Sequence, residues 1–527
     1  MKIQSLLGLC LSPAVLFISN PAQAQLSLEA IGRYSSGIFD DSATEISAYD
    51  ATTQTLFVTN GAEKQIDVLT LIDPTQPTLA FSIDVKNGVN SVAFHDGVLA
   101  AAVEGEEKQD PGQVLFFYAA GNLLNGVTVG ALPDMLTFTP DGMKVLVANE
   151  GEPSEDYQND PEGSVSIIDL SMGVEKATVM TADFSQFNTM ALDKSIRNFG
   201  MGGTVAQGLE PEYIAVSADS KMAWVTLQEN NALAVIDVEM GTVTDIVGLG
   251  FKDYSLPENR LDASNKDQAI NIANYDNLYG VYQPDAIAAY EVMGETYLVT
   301  ANEGDSRVRP TGDDEIEGVE EGDIFNEESR VGKLNLDPTA FPNAEALQDD
   351  TVLGRLKVTN TLGDTDGDGD FDELYAYGAR SFSIWDAAGN QVFDSGSQFA
   401  YITAAFYPDN FNSTNDENGS FDDRSDDKGS EPEGVTIGKI GDRHYAFIGL
   451  ERMGGIMVYD ITDPMAPFFV TYSNERDYSG DAEAMTAGDL GPEGLLFIPA
   501  TDSPNGKNLL IVTSEVSGTV TVYTVEN

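Results

Sequence analysis

A short apolar strand opened by a polar or acidic residue, in most copies after proline, recurs seven times along this chain. The copies are Glu45-Ile46-Ser47-Ala48-Tyr49, Asn90-Ser91-Val92-Ala93-Phe94, Pro133-Asp134-Met135-Leu136, Pro211-Glu212-Tyr213-Ile214, Pro284-Asp285-Ala286-Ile287, Pro432-Glu433-Gly434-Val435 and Pro492-Glu493-Gly494-Leu495. A turn such as Pro140-Asp141-Gly142 usually follows, then a second strand ending in a polar or acidic residue, as in Val145-Leu146-Val147-Ala148-Asn149-Glu150, then a third such as Gly455-Ile456-Met457-Val458-Tyr459-Asp460. β-branched and aromatic residues punctuated by Gly, Asp and Pro are a strand-and-turn pattern, and no long stretch keeps a 3.6-residue period. Strand groups repeating at roughly 40–50 residues are propeller blades, because a single small sheet cannot bury its two faces whereas a ring of sheets can. The pattern therefore predicts an all-β, seven-bladed β-propeller over residues 25–527. Such a ring must close, and residues 27–33 are the expected partner of the last strand, removing an exposed edge. Repeat starts lie about 44 residues apart for the first three copies, then 78, 73, 148 and 60. Insertions therefore fall in the third to sixth blades, and the longest, within 304–431 between the fifth and sixth blade starts, is where a site is expected to be elaborated.

Residues 1–24 stand apart from the repeat. Met1-Lys2, an apolar run over 6–18 and Pro21-Ala22-Gln23-Ala24 read as a Sec signal peptide cut after Ala24. No second run of about 18 apolar residues follows, and residues 523–527 offer no hydrophobic anchor, so the expected location is the periplasm or the medium. The only cysteine, Cys10, leaves with the signal, which removes disulfide, thiol-nucleophile and thiolate-metal chemistry. The chain has 86 acidic and 27 basic residues, a formal charge of −59. Nucleic acid and anionic membrane surfaces, both of which require clustered Lys and Arg, are excluded as partners. With only two histidines, His95 and His444, a multi-histidine metal centre is unavailable, and no Gly-x-Ser-x-Gly elbow, Walker loop or dinucleotide fingerprint is present. Any chemistry must run on carboxylates, metal and arginine.

Three constellations of that kind stand out. Asp364, Asp366, Asp368, Asp370 and Asp372 alternate through Asp364-Thr365-Asp366-Gly367-Asp368-Gly369-Asp370-Phe371-Asp372-Glu373, the opening half of an EF-type calcium loop, although position twelve is Tyr375 instead of a bidentate Glu. Its calcium is expected to be structural; a solvated acidic turn is the alternative. Second, equivalent positions of successive blades face a central channel, so Glu45, Asp134, Glu212, Asp285, Glu433 and Glu493 are expected at one mouth. Glu104, Glu150, Glu229, Glu303, Glu451 and Glu515 would form a second layer, with pKa values raised unless cations sit between them; turn capping is the structural alternative. Third, Arg307, Arg309, Arg330, Arg380 and Arg424 fall in or beside the long insertion, fitted either to phosphate or to internal ion pairs.

Val147-Ala148-Asn149-Glu150-Gly151-Glu152-Pro153, Thr300-Ala301-Asn302-Glu303-Gly304-Asp305-Ser306-Arg307, residues 364–373, Tyr377-Gly378-Ala379-Arg380-Ser381-Phe382 and Arg424-Ser425-Asp426-Asp427-Lys428-Gly429 leading into Glu431-Pro432-Glu433-Gly434 together resemble the choice-of-anchor I family. That family includes mesenchyme-specific cell surface glycoproteins and bacterial proteins labelled alkaline phosphatase. The resemblance implies an extracytoplasmic β-propeller, associated in some bacterial members with phosphate-ester hydrolysis. The first expectation is then a divalent-metal-dependent phosphoesterase acting on a small anionic substrate at a channel mouth. Glu150, Glu303 and Glu433 would hold calcium or a second divalent metal, and Arg307 and Arg380 would grip the phosphoryl oxygens. The alternatives are a non-catalytic surface or matrix-binding propeller and a calcium-dependent lactonase or esterase.

Overall fold

The middle strands explain how the repeat folds. In Thr55–Asn60, Val98–Val103, Lys144–Asn149 and Met222–Leu227 every residue after the first is buried, so both faces are covered. An outer strand such as Thr78–Asp84 buries almost nothing. A strand covered on both faces carries a continuous apolar run instead of alternation, and here the cover comes from the sheets on either side. The computed structural model describes residues 26–311 and 319–526, so the signal peptide expected over residues 1–24 lies outside the described residues.

Among the described residues there are seven four-stranded antiparallel sheets. Their first strands are Ser47–Asp50, Val89–His95, Pro133–Phe138, Pro211–Val216, Ile287–Val292, Pro432–Ile440 and Pro492–Ile498. Each packs against the first strand of the next sheet, and the seventh packs against the first, so the cycle is closed. Within a sheet the strands follow in chain order, with one exception. The seventh sheet runs Pro492–Ile498, Asn508–Ser514, Thr519–Glu526 and then Ser27–Ser35. The last pairing is antiparallel, from Ser27 opposite Glu526 to Ser35 opposite Thr519, with a bulge between Ala30 and Gly32.

The long insertion is divided. Glu295–Asn302 pairs directly with Ser381–Asp386, with Asn302 opposite Ser381, so residues 303–380 form an excursion inside the fifth sheet. A stretch containing the helix Gln398–Phe406 then leads to the sixth. Loop-closure entropy grows only with the logarithm of loop length, so the sheet tolerates the excursion. The excursion carries its own core, with Val331, Leu336, Phe341, Leu353, Leu356 and Val358 packed on Tyr254 and Leu278. A small sheet of Phe251–Asp253, Leu278–Val281 and Leu374–Ala376, whose last pairing is parallel, ties it to the fourth-to-fifth connection. No helix among the described residues is long and apolar enough to cross a membrane.

Candidate functional site

The proline-acid pair that opens most repeats has a defined structural consequence. Pro133 stands opposite Asn149, and pairing resumes one residue out of step at Leu136 opposite Val147. Pro211, Pro432 and Pro492 begin their strands with the same shift. An extra residue in one strand is a β-bulge, which bends the strand and re-aims its side chains. Asp134, Glu212, Glu433 and Glu493 all stand in these bulges. The glycines that follow two of them are required sterically: a Cβ on Gly434 would lie 1.9 Å from the Glu493 carbonyl oxygen, and one on Gly494 would lie 2.1 Å from that of Glu45.

The bulges deliver Asp134, Glu212, Glu433 and Glu493 to one central cavity of about 170 Å³, which Asp285 joins from just before the first strand of the fifth sheet and Glu150 from the end of a second strand. Asn90 occupies the station of the second sheet. Glu45 lies beside this group, close enough to interact with Asp134, Glu104 and Glu515. Burial, reinforced by Glu104 and Glu152, pushes the Asp134 carboxyl up to about 7. Burial pushes Glu45 up to about 8, with Glu515, Asp134 and Glu104 adding to the rise and a Ser42 hydrogen bond opposing it. For Glu150, Glu212, Asp285, Glu433 and Glu493, burial first and neighbouring carboxylates second raise the pKa well above the ordinary range. Two carboxylate oxygens in this group, Glu212 Oε2 and Glu433 Oε2, are buried without a hydrogen-bond partner.

These shifts have a sign. A carboxyl whose pKa is higher folded than unfolded binds more protons in the native state between the two values, so its contribution is complete below the unfolded value and is lost as pH rises through the folded one. For Asp134 the window runs from 3.8 to about 7. Cation-free protein is expected to lose stability between pH 5 and pH 8, and Asp134→Asn to flatten that slope; denaturant midpoints across pH measure both.

Five of the six second-strand acids, all but Glu104, gather into triads that enlist residues outside the expected layer. Glu150, Glu210 and Glu229 each offer an oxygen within 4.8 Å of the others, as do Glu303, Glu431 and Glu451, and Glu45, Glu493 and Glu515. Glu210 and Glu431 carry a signal that was available in the sequence, since each immediately precedes the proline of a Pro-Glu pair. Of the three carboxylates expected to hold metal together, Glu150 and Glu433 share the cavity, whereas Glu303 does not line it. Glu303 instead accepts from Gln228 Nε2 at 2.9 Å and from Lys428 Nζ.

The arginines face elsewhere. Arg307 is 3% exposed, pairs with Glu210, donates to the Phe199 carbonyl at 3.3 Å and lies over the Phe199 ring. Arg380 donates to the carbonyls of Asp262 at 2.6 Å, Ser425 at 3.0 Å and Asp427. Arg309 pairs with Glu152, Arg330 with Asp426 at 3.1 Å, and Arg424 with Asp427 at 3.1 Å and Glu431 at 2.7 Å. None of these arginines lines the cavity; Arg307, Arg309, Arg330 and Arg424 make internal ion pairs, and Arg380 is held by backbone carbonyls.

In the acidic loop, Asp364 accepts from the Gly367 and Gly369 amides at 2.7 and 3.1 Å, and Asp372 accepts from Thr365 N at 2.9 Å and Oγ1 at 2.6 Å. Asp364, Asp366 and Asp372 bring oxygens together on one side, and Asp337, Asp370 and Asp372 on the other. Asp337 arrives through the parallel bridge between Leu336 and Phe371; nothing in the spacing of the loop announced it. Asp368 is in neither group.

Fold and site together define an extended class: an all-β ring of four-stranded antiparallel sheets around an acid-lined cavity. The choice-of-anchor I domain matches residues 45–464, and the chain belongs to that family. It is 34% identical over 189 residues to Gigasin-3a of Magallana gigas, spanning 34% of this chain and 66% of that protein. It is 30% identical over 286 residues to the mesenchyme-specific cell surface glycoprotein of Strongylocentrotus purpuratus, spanning 49% of this chain and 35% of that one. The chain thus covers less than two thirds of either relative's length. Overlapping solved structures include the hydrazine synthase of Kuenenia stuttgartiensis, at 13% identity and TM-score 0.45 over 93% of this chain and 99% of that one. The Cps50 (Swd1) beta-propeller domain of Myceliophteria thermophila overlaps at 8% identity and TM-score 0.45 over 95% and 100%, and a chain of the mitotic checkpoint complex at 10% and 0.47 over 100% of both. At such values the architecture rests on the strand pairing itself.

Proposed function

We propose that this chain is an exported, seven-bladed β-propeller of the cell surface or extracellular medium that loads divalent cations onto its inner carboxylates and works by binding a ligand, without hydrolysing phosphate esters. The observation that carries this reading is the convergence of six carboxylates, Asp134, Glu150, Glu212, Asp285, Glu433 and Glu493, on one cavity of about 170 Å³. Among the described residues no cationic side chain lines the cavity to hold a phosphate ester, and the two arginines suited to its oxygens, Arg307 and Arg380, are engaged by internal partners. The orphaned oxygens of Glu212 and Glu433 fit a hard cation, because an unpaired buried carboxylate is costly and oxygen-only donor sets select calcium, magnesium or manganese. Export is supported by the leader-like residues 1–24 and by the surface relative. Calcium at the loop would be held by Asp364, Asp366, Asp370 and Asp372 with Asp337, and would stiffen the excursion.

The test is elemental analysis of purified protein, followed by turnover screens of phosphomonoesters, phosphodiesters and lactones with calcium, magnesium, manganese or zinc. Bound divalent metal without turnover is expected. Metal-dependent phosphate release abolished by Glu433→Gln would overturn the binding role, and turnover of a neutral lactone would replace it by esterase chemistry. Chelation is expected to lower the unfolding free energy by about 2.7 kcal/mol if calcium had stood at a hundredfold its Kd, and Asp364→Asn with Asp366→Asn should remove part of that response in calorimetry.

A further inference from the structure

Two of the glutamate triads are built from equivalent stations of the ring. Each combines a glutamate at the end of one sheet's second strand, a glutamate directly before the proline opening the next sheet, and a glutamate just past that sheet's second strand. In one triad these are Glu150, Glu210 and Glu229; in the other they are Glu303, Glu431 and Glu451. The chain itself supplies the cations of the second triad. Lys428 Nζ bonds Glu303 and lies 3.2 Å from Glu431, and Arg452 reaches Glu431 at 3.2 Å and Glu451 at 3.1 Å.

The first triad is treated differently. Arg307 pairs with Glu210 alone, and among the described residues no lysine or arginine makes an ion pair with Glu150 or Glu229. Glu210 is 0% and Glu229 4% exposed, yet Glu210 Oε1 and Glu229 Oε2 have no hydrogen-bond partner. Once ionised, three carboxylates sharing one arginine carry an excess of about two negative charges, and burying an uncompensated carboxylate costs several kcal/mol. The gap has the charge of one divalent ion, where the equivalent station is filled by the ammonium of Lys428.

We infer that Glu150, Glu210 and Glu229 form a seat for one hard divalent cation of the calcium or manganese class, with Arg307 balancing the third charge. All donors are carboxylate oxygens, with no imidazole or thiolate to favour zinc or copper. The inference rests on the reading that the inner carboxylates load cations, and it assigns the ion to the triad instead of the middle of the cavity that Glu150 also lines.

The test uses manganese as the probe. Crystals of the full chain soaked in manganese chloride are expected to show an anomalous peak among Glu150, Glu210 and Glu229, and none among Glu303, Glu431 and Glu451. In calorimetry on protein carrying Asp364→Asn and Asp366→Asn, which disables the acidic loop, Glu229→Gln is expected to remove one manganese equivalent or weaken it at least tenfold, and Glu229→Asp to restore part of it. If Glu229→Gln does not fold, the wild-type anomalous map decides. A peak in the central cavity with none at the triad overturns this inference and leaves the proposed function standing. Peaks at neither place, with no calorimetric binding, overturn both.

Discussion

Deleting the strand Ser27–Ser35 is expected to leave a chain with no cooperative unfolding transition that aggregates on size-exclusion chromatography. The strand pairs along its length with Thr519–Glu526 and completes the seventh sheet. Leu28 and Ala30 pack with the cluster around Tyr523 and Val525, and Ile31 and Tyr34 with the cluster around Val520 and Val522. Arg33 adds a 2.9 Å ion pair to Asp489. Each ladder bond contributes about 0.5–1.5 kcal/mol, so a whole strand approaches the roughly 5–15 kcal/mol that a folded protein has in total. The deletion would also expose the apolar edge of Thr519–Glu526, a template for pairing with another chain. A circular permutant that joins the two strands through a short turn and opens the chain at the exposed turn around Asn505 keeps every pairing. It is expected to fold with a near-native melting curve, whereas failure of the permutant would mean that the strand acts by something other than closing the ring.

Glu431→Ala is expected to destabilise the protein by about 3–5 kcal/mol, the usual cost of leaving buried charges without their partner, seen as a lower denaturant midpoint at an unchanged slope. Glu431 is 0% exposed and has Arg424 at 2.7 Å and Lys428 and Arg452 at 3.2 Å each. Burial alone would raise its pKa, but the three cations outweigh burial and hold the carboxyl well below the ordinary range. A carboxyl depressed in this way contributes stability above its unfolded value, and the contribution is lost as pH falls. Its sign is opposite to that of the cavity acids and its window lies below the unfolded value of 4.5, so Glu431→Gln should lower the midpoint above about pH 5 without changing the pH slope there, and should weaken the loss of stability on acidification below that value. An unchanged midpoint would mean that the three cations find other partners, Glu303, Glu451 and Asp427 being the nearest.

The arrangement of the inner strands was legible because its signal is local. An acid at the start of a short inner strand recurs with the repeat, so Glu45, Asp134, Glu212, Asp285, Glu433 and Glu493 could be expected around one axis; all but Glu45, which lies beside them, line one cavity. Residues 27–33 could be named as the last strand's partner because a strand without a successor needs one. The partners of Arg307 and Arg380, expected to grip phosphoryl oxygens, were not legible in the sequence. Their surroundings combine segments with no shared pattern: Glu210 lies 97 residues before Arg307, and Asp262 lies 118 before Arg380. Lys428 reaching Glu303 across 125 residues is of the same kind.

By itself the sequence determined the strand grammar and the acidic lining of the axis, since each depends on residue type and short-range spacing. Only the tertiary structure decided which carboxylates are neutralised from within and which are left bare. Charge pairing acts over a few ångströms of space with no regard for sequence separation, and the folding of residues 303–431 over the ring brings Lys428 to one triad and only Arg307 to the other.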